Sequence, residues 1–155
     1  MNFDENDLMI KRLEEYAGPL VSELAQNRIM TTQYVNDGNP KLRFAALSLI
    51  TTFWGVTEEI AEKCKDIAIN DTDENVRGVA VICLYDYYKK KNNRIIGNLL
   101  ASIVYDETEV SDVRRVAYEG LFHLREEHPL NWPLPIDFNF PNDVDWTFVD
   151  IFLFS

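Results

Sequence analysis

The sequence predicts an all-α fold, an α-solenoid of antiparallel helix pairs wound into an α/α superhelix, and three observations support this prediction. A short pattern recurs around Arg43, Arg77 and Arg114, at intervals of 34 and 37 residues. Segments with apolar residues at helical spacing alternate with short turns rich in Asp and Asn. No alternating strand pattern occurs before residue 130. Because a repeat of this period is typical of solenoids, stacked helix pairs are expected to share a continuous core.

Local signals set the bounds of the predicted helices. Pro19 suits the first turn of the second helix, Asn39 is a natural N-cap of the third with Pro40 at its first position, and Thr57 is expected to cap the fourth. Lysines 89–91 fall at the C-terminal end of the fifth, where cations suit the helix dipole. The predicted helices span residues 4–16, 19–35, 40–54, 58–69, 74–90, 94–105 and 112–127.

The C-terminal region differs in composition from the repeats. Four prolines make residues 128–142 irregular, and the apolar segment Trp146–Phe154 follows. We expect that segment to be a short helix with Asp143 near its N-terminus, and a strand is the alternative. The chain is expected to form one domain, with an N-terminal capping helix, three repeats and a C-terminal capping segment at residues 1–18, 19–127 and 128–155.

Composition narrows the class of protein. An apolar fraction of 46% is ordinary for a globular protein, whereas a net charge of −11 opposes binding to nucleic acid or anionic membranes. The acidic N-terminus has no apolar signal-peptide core, and no apolar run approaches a membrane span. Cys64 and Cys83 lie in apolar helical patterns and are expected to be buried free thiols. A cytoplasmic location is therefore expected.

The recurring unit resembles the HEAT repeat, in its short bacterial form. Residues 39–47, 73–81 and 112–118 each carry the pair of an apolar residue and Arg, followed by Ala three places after the Arg. In the first two copies this pair follows an Asn/Asp turn. The third copy has three extra residues, and Val110 stands where the others have Asn39 or Asp73. The resemblance implies an α-solenoid and no specific activity, since a fold does not fix a function.

An arginine at the same place in every unit predicts a structural ladder. Each arginine is expected to meet Asp or Asn groups in the turns of its own or a neighbouring repeat, and the alternative is simple exposure on a helix. The ladder is expected to comprise Arg43, Arg77, Arg114, Asp37, Asp71 and Asp73.

Helical geometry predicts which face of the second helix in each unit is exposed. Counted from each arginine, positions −1, +3, +7 and +10 form the core stripe, and positions +1, +5, +8 and +12 lie opposite. The resemblance places this opposite face in a concave groove. An exposed aromatic patch rimmed by charge usually marks an interaction site, although the C-terminal segment could cover it or a second copy could bind there. The predicted partner-binding residues are Phe44, Ile82, Tyr85, Arg115, Glu119 and Phe122.

Together these features predict a non-enzymatic protein-binding scaffold without a cofactor, for which an immunity or inhibitor protein is one concrete version. The acidity favours a basic protein partner, and a monomer or weak homo-oligomer is expected. The resemblance leaves two alternatives, a bilin-lyase-like chromophore-binding subunit and a HEAT-like DNA glycosylase, and the net charge argues against the second.

The sequence offers little for metal or phosphate chemistry. Residues 71–75 begin like a calcium-binding loop, but Val76 and Ile82 occupy the places that need Gly and a bidentate acid. His123 and His128 are five residues apart, whereas zinc binding on a helix needs a spacing of four. No Gly-rich phosphate loop occurs. Catalytic and metal-binding residues are therefore not predicted.

Overall fold

The structure, a computed structural model, describes residues 3–125 and 134–154, with side chains for residues 5–125 and 134–153. Its regular elements are all helical. They form two compact units, one up to Val56 and one from Thr57 onward, where the sequence predicts one domain. The helices are α1 (Phe3–Ala17), α2 (Leu20–Leu24), α3 (Arg28–Tyr34), α4 (Pro40–Leu49), α5 (Glu58–Asn70), α6 (Glu74–Tyr87), α7 (Arg94–Tyr105), α8 (Ser111–His123) and α9 (Trp146–Phe154).

The first unit packs α1 to α4 around a small apolar core. This core consists of buried aliphatic side chains from α1, α2 and α4, namely Leu13, Val21, Leu24, Ala45 and Leu49. Partly buried Phe44, Phe53 and Trp54 pack against it. The helix that begins at Pro40 continues beyond α4 as a π-helical turn, Ile50–Trp54, and stops at Gly55, which has a φ of 78°. The predicted end of this helix at Trp54 is confirmed.

The prediction of one helix over residues 19–35 is wrong, because Asn27 starts a new helix within it. The Asn27 side chain accepts a hydrogen bond from the backbone N–H of Met30 at 3.0 Å and caps α3. The buried Thr31 hydroxyl donates to the carbonyl of Leu24 at 2.6 Å, so the carbonyl group of the last α2 residue has a hydrogen-bond partner. A capped break is therefore stable here without exposing unpaired backbone groups.

The second unit is built from α5 to α9. Helix α5 packs on α6, α7 packs on α8, and α6 and α8 lie against each other, while α9 packs on α7. The predicted core stripe of this unit is confirmed except at Tyr87, which is half-buried. Its other members are buried: Val76, Ala80 and Leu84 on α6, Val113, Ala117 and Leu121 on α8, and Leu124 directly after α8. Cys64 and Cys83 are buried free thiols, as predicted.

Two helices of the second unit end earlier than predicted. Helix α6 ends at Tyr87, so lysines 89–91 lie in a loop in which Lys90 has a φ of 59°. This loop is held by α8, since the N–H of Lys90 donates to the carbonyl of His123 at 3.0 Å. Helix α8 ends at His123, and residues 126 and 127, in its predicted last turn, lie outside the described residues.

The C-terminal apolar segment is a helix, α9, so the alternative of a strand is excluded. Its first turn is capped by Asp145, whose carboxylate accepts from the N–H of Phe148 at 3.1 Å. Asp143 lies just before α9, as predicted, and accepts from the N–H of Asn139 at 2.7 Å within the irregular segment that precedes the helix. None of the helices within the described ranges has the length and apolar character needed to cross a membrane.

Candidate partner-binding surface

The three repeat arginines each donate to a backbone carbonyl of the segment that precedes their helix. Arg43 Nη1 lies 2.9 Å from the carbonyl oxygen of Asp37, and Arg77 Nη1 lies 2.8 Å from that of Asp71. Arg114 Nε donates to the carbonyl of Val104 at 2.9 Å. The guanidinium groups thereby tie each second helix to the end of the helix or turn before it.

The turn aspartates use their carboxylates for the turn itself. The carboxylate of Asp37 accepts from the N–H of Asn39, and that of Asp71 accepts from the N–H of Asp73, both at 2.9 Å. Asp73 caps α6 by accepting from the N–H groups of the second and third helical residues. The predicted contacts of Asp37 and Asp71 with their arginines therefore run through carbonyl oxygens, and Asp73 serves as a helix cap.

The extra residues of the third repeat can be located in the structure. The acceptor carbonyl is six residues before Arg43 and Arg77 but ten residues before Arg114. Both loops of the third unit, residues 88–93 before α7 and 106–110 before α8, are longer than their counterparts at residues 55–57 and 71–73, so the insertion is not confined to one loop. As expected from its side chain, Val110 begins α8 without a side-chain cap.

Glu109, which the sequence analysis did not single out, completes the ladder at its centre. Its two oxygens accept from Arg77 Nη2 at 2.8 Å and from Arg77 Nε at 2.7 Å. Burial raises the pKa of Glu109, but the hydrogen bonds from Arg77 and from the N–H of Val110 outweigh it, so the pKa lies below its ordinary value. In the sequence, Glu109 could have been noticed as an acidic residue directly before Val110, where a helix begins without a side chain that can cap it.

The outer face of α6 and α8 carries four of the predicted partner-binding residues, all half-buried: Ile82, Tyr85, Arg115 and Glu119. The Tyr85 ring stacks on the imidazole of His123, with 4.6 Å between centroids and 4° between planes. It also lies against Gly120, where a Cβ would come within 2.7 Å of Tyr85 Cδ1. Burial, with smaller effects of Glu119 and Asp86, raises the pKa of Tyr85 to about 12. The ring is thus held in place and its hydroxyl stays neutral.

Arg115 and Glu119 form an ion pair beside Tyr85. Arg115 Nε lies 3.3 Å from a carboxylate oxygen of Glu119, but the geometry is not that of a hydrogen bond, and this N–H has no acceptor within the described residues. Burial raises the pKa of Glu119, and Arg115 offsets only part of this rise. The Nε–H itself is buried, but the Arg115 side chain is 40% exposed. The face therefore offers a partner a partly desolvated carboxylate beside an accessible guanidinium.

The prediction that Phe122 is exposed is wrong. Its exposed fraction is 6%, because the ring of Phe148 on α9 stacks on it at 4.4 Å and Tyr118 contacts it edge-on at 5.0 Å. The C-terminal segment also reaches Tyr118, on which Phe138 stacks at 5.6 Å. The alternative in which this segment covers part of the face therefore holds for Phe122.

Phe44 belongs to the first unit, where it is half-buried and meets Tyr16 edge-on at 5.4 Å. The residues that one unit brings together are thus Ile82, Tyr85, Arg115 and Glu119. His123 joins them through its stacking on Tyr85, and its place at position +9 from Arg114, one residue beyond the exposed stripe, could have indicated this.

The described part of the chain contains no group of three or more His, Cys, Asp or Glu residues placed to hold a metal ion. Fold and surface together define the class, an all-helical protein with a repeated arginine-anchored helix pair and a polar-aromatic outer face. Comparison with protein-family models, curated proteins and solved structures finds no match to this chain.

Proposed function

We propose that the chain is a non-enzymatic binding scaffold that holds another protein on the outer face of α6 and α8. The observation that carries the proposal is the fixed Tyr85 ring beside the Arg115–Glu119 pair. Tyr85 is stacked on His123 and seated over Gly120, so little side-chain entropy remains to be lost on binding. Tyrosine and arginine are among the residues most enriched at the energetic centres of protein interfaces.

The arrangement of the helices supports a HEAT-like solenoid as the framework of this scaffold. The pairs α5–α6 and α7–α8 lie next to each other through their second helices, and equivalent arginines anchor those helices. In such a framework the outer faces of α6 and α8 form one continuous surface. A binding residue on each helix can then meet the same partner.

Charge favours a partner with basic groups at the contact. The chain carries a net charge of −11, and the half-buried Glu119 carboxylate has a raised pKa because burial penalises its charge. A cation from a partner would stabilise that charge and lower the pKa of Glu119 again. Complementary charges of this kind also increase the rate of association.

Position-specific crosslinking tests the proposal. The photoreactive residue p-benzoylphenylalanine replaces Ile82 on the proposed face, and in a second variant it replaces Ile69, an exposed isoleucine on α5 of the same unit. After irradiation in cells that express the protein, we expect one adduct from position 82 and none from position 69, identified by mass spectrometry. The same adduct in equal yield from both positions would place the contact elsewhere.

A further inference from the structure

Positive charge is concentrated at one end of the second unit, although the chain as a whole is acidic. Lysines 89–91 and Arg94 fall within six residues. The loop that carries the lysines and leads to Arg94 is bound to the segment after α8, since the N–H of Asn92 donates to the carbonyl of Leu124 at 3.0 Å. This connection brings the loop beside Arg125.

Arg94 and Arg125 line the same depression. It has a volume of about 190 Å³, and the other residues around it are Asn92, Asn93, Ile151 and Phe152. An open groove of about 500 Å³ continues from it, sharing Arg94 and Phe152 and adding Ile95, Asn98 and Leu153. We refer to the depression and the groove together as the α7–α9 cleft.

The guanidinium of Arg125 is positioned by aromatic rings. It lies 5.8 Å from the ring centroid of Phe148 and 5.4 Å from that of Phe152. Within residues 3–125 and 134–154, no carboxylate forms an ion pair with it. A guanidinium held near aromatic rings keeps its N–H donors, which match the two oxygens of a carboxylate.

Exposed apolar side chains lie next to these arginines. Ile95 at the start of α7 is 71% exposed and Ile151 on α9 is 41% exposed. Neither side chain is buried in the core. The cleft therefore combines cations with apolar surface, which is a chemistry complementary to a peptide that carries acids beside large apolar residues.

We propose that the α7–α9 cleft binds an acidic peptide segment of a partner protein, with a carboxylate on Arg94 and Arg125 and an apolar side chain on Ile95 and Ile151. An acidic peptide fits the charge of the cleft, because the cleft is lined by arginines although the protein as a whole is acidic. The cleft is formed by α7, α9, the loop before α7 and Arg125, which follows α8. None of its lining residues belongs to the binding residues proposed on the outer face of α6 and α8, so it does not depend on the function proposed for that face.

Selection from a random dodecapeptide phage library on the intact protein tests this inference. We expect enrichment of peptides that place Asp or Glu next to Leu, Ile or Phe. The affinity of the best synthetic peptide is then measured by fluorescence anisotropy for wild type and variants. The Arg94→Gln/Arg125→Gln variant should bind about tenfold more weakly or worse, because a bidentate ion pair is lost.

Two further variants keep the test decisive. Ile95→Ser removes only an exposed side chain, so it should weaken binding while leaving the melting temperature unchanged. Lys63→Gln/Lys65→Gln removes two cations from α5 and should bind like wild type. The inference is overturned by a selection without acidic peptides, by equal weakening in the α5 variant, by full displacement of the peptide by millimolar inorganic phosphate, or by self-association of the chain through the cleft.

Discussion

Arg77 and Glu109 form a two-point ion pair across 32 residues of sequence, with Nε–Oε2 and Nη2–Oε1 distances of 2.7 and 2.8 Å. The side chains are only 16% and 10% exposed. Arg77 also donates to the carbonyl of Asp71 at 2.8 Å, so one guanidinium joins the turn before α6 to the loop before α8. The residue that marks the repeat in the sequence thus links neighbouring repeats in the fold.

Replacing Glu109 by Gln should lower the free energy of unfolding by about 2 kcal/mol, because it leaves a largely buried guanidinium without its counter-charge. Urea denaturation at neutral pH measures the change. Glu62→Gln is the matched control, since its pair with Lys65, at 2.6 Å, is exposed and should contribute no more than about 0.5 kcal/mol. Equal effects of the two substitutions would show that the Arg77 pair does not stabilise the fold.

The pH dependence of stability should carry opposite contributions from two glutamates. The pKa of Glu109 is lowered in the folded protein, so its contribution is present above the ordinary value of 4.5 and is lost as pH falls through the lowered pKa. The pKa of Glu119 is raised, so its contribution is present below 4.5 and is lost as pH rises through the raised pKa.

Unfolding free energies measured between pH 3 and pH 8, about the range in which carboxylates titrate, separate these contributions. Glu109→Gln should flatten the loss of stability on the acid side, whereas Glu119→Gln should remove a loss that sets in above pH 4.5. If Glu119→Gln left the profile unchanged above that pH, the carboxylate would be fully solvated and the face would lack the desolvated charge described here.

Two glycines on neighbouring helices should respond oppositely to alanine. At Gly78 on α6 the nearest atom to an added Cβ is 3.9 Å away, so Gly78→Ala should stabilise the protein by about 0.5–1 kcal/mol through helix propensity. At Gly120 on α8 a Cβ would lie 2.7 Å from Tyr85 and 2.9 Å from Leu100, so Gly120→Ala should destabilise it by about 1–3 kcal/mol. Thermal melting of both variants checks the sign, and stabilisation by Gly120→Ala would show that Tyr85 is not seated on α8.

Removing the aromatic ring that α9 packs on α8 should expose part of the hydrophobic core. Phe148→Ala takes away the ring stacked on Phe122 and should cost about 2–3 kcal/mol, with increased binding of a hydrophobic dye. Ile136→Ala, at a fully exposed position of the same C-terminal segment, is the control and should change stability by less than about 0.5 kcal/mol. If Phe148→Ala left the stability unchanged, α9 would not cover this face of α8.

Much of the helical fold could be predicted from the sequence, because the signals were local. The turn residues Asn39 and Thr57 cap the helices they were expected to cap. The core stripe of α6 and α8 followed from helical periodicity around the arginines. The break at Asn27 was missed, since an apolar pattern that continues through a capped break resembles one helix.

The site was predictable only where it depends on helix faces. The positions opposite the core stripe were predicted to be exposed, and four of them, Ile82, Tyr85, Arg115 and Glu119, are half-buried in the structure. The predicted exposure of Phe122 was wrong because α9 packs over this residue. Helical periodicity does not indicate which distant segment packs on a given face. Glu109 was missed for the same reason, since its partner lies in another repeat.

We propose that the Arg115–Glu119 pair and Tyr85 bind a protein partner, and calorimetric titration with the partner identified by crosslinking tests this most directly. The Arg115→Glu/Glu119→Arg swap keeps an i,i+4 ion pair on α8 but reverses its charges, and Glu59→Lys/Lys63→Glu does the same on α5. We predict that the α8 swap raises the Kd about tenfold or more while the α5 swap leaves it unchanged. Equal Kd values for wild type and both swaps would contradict the claim.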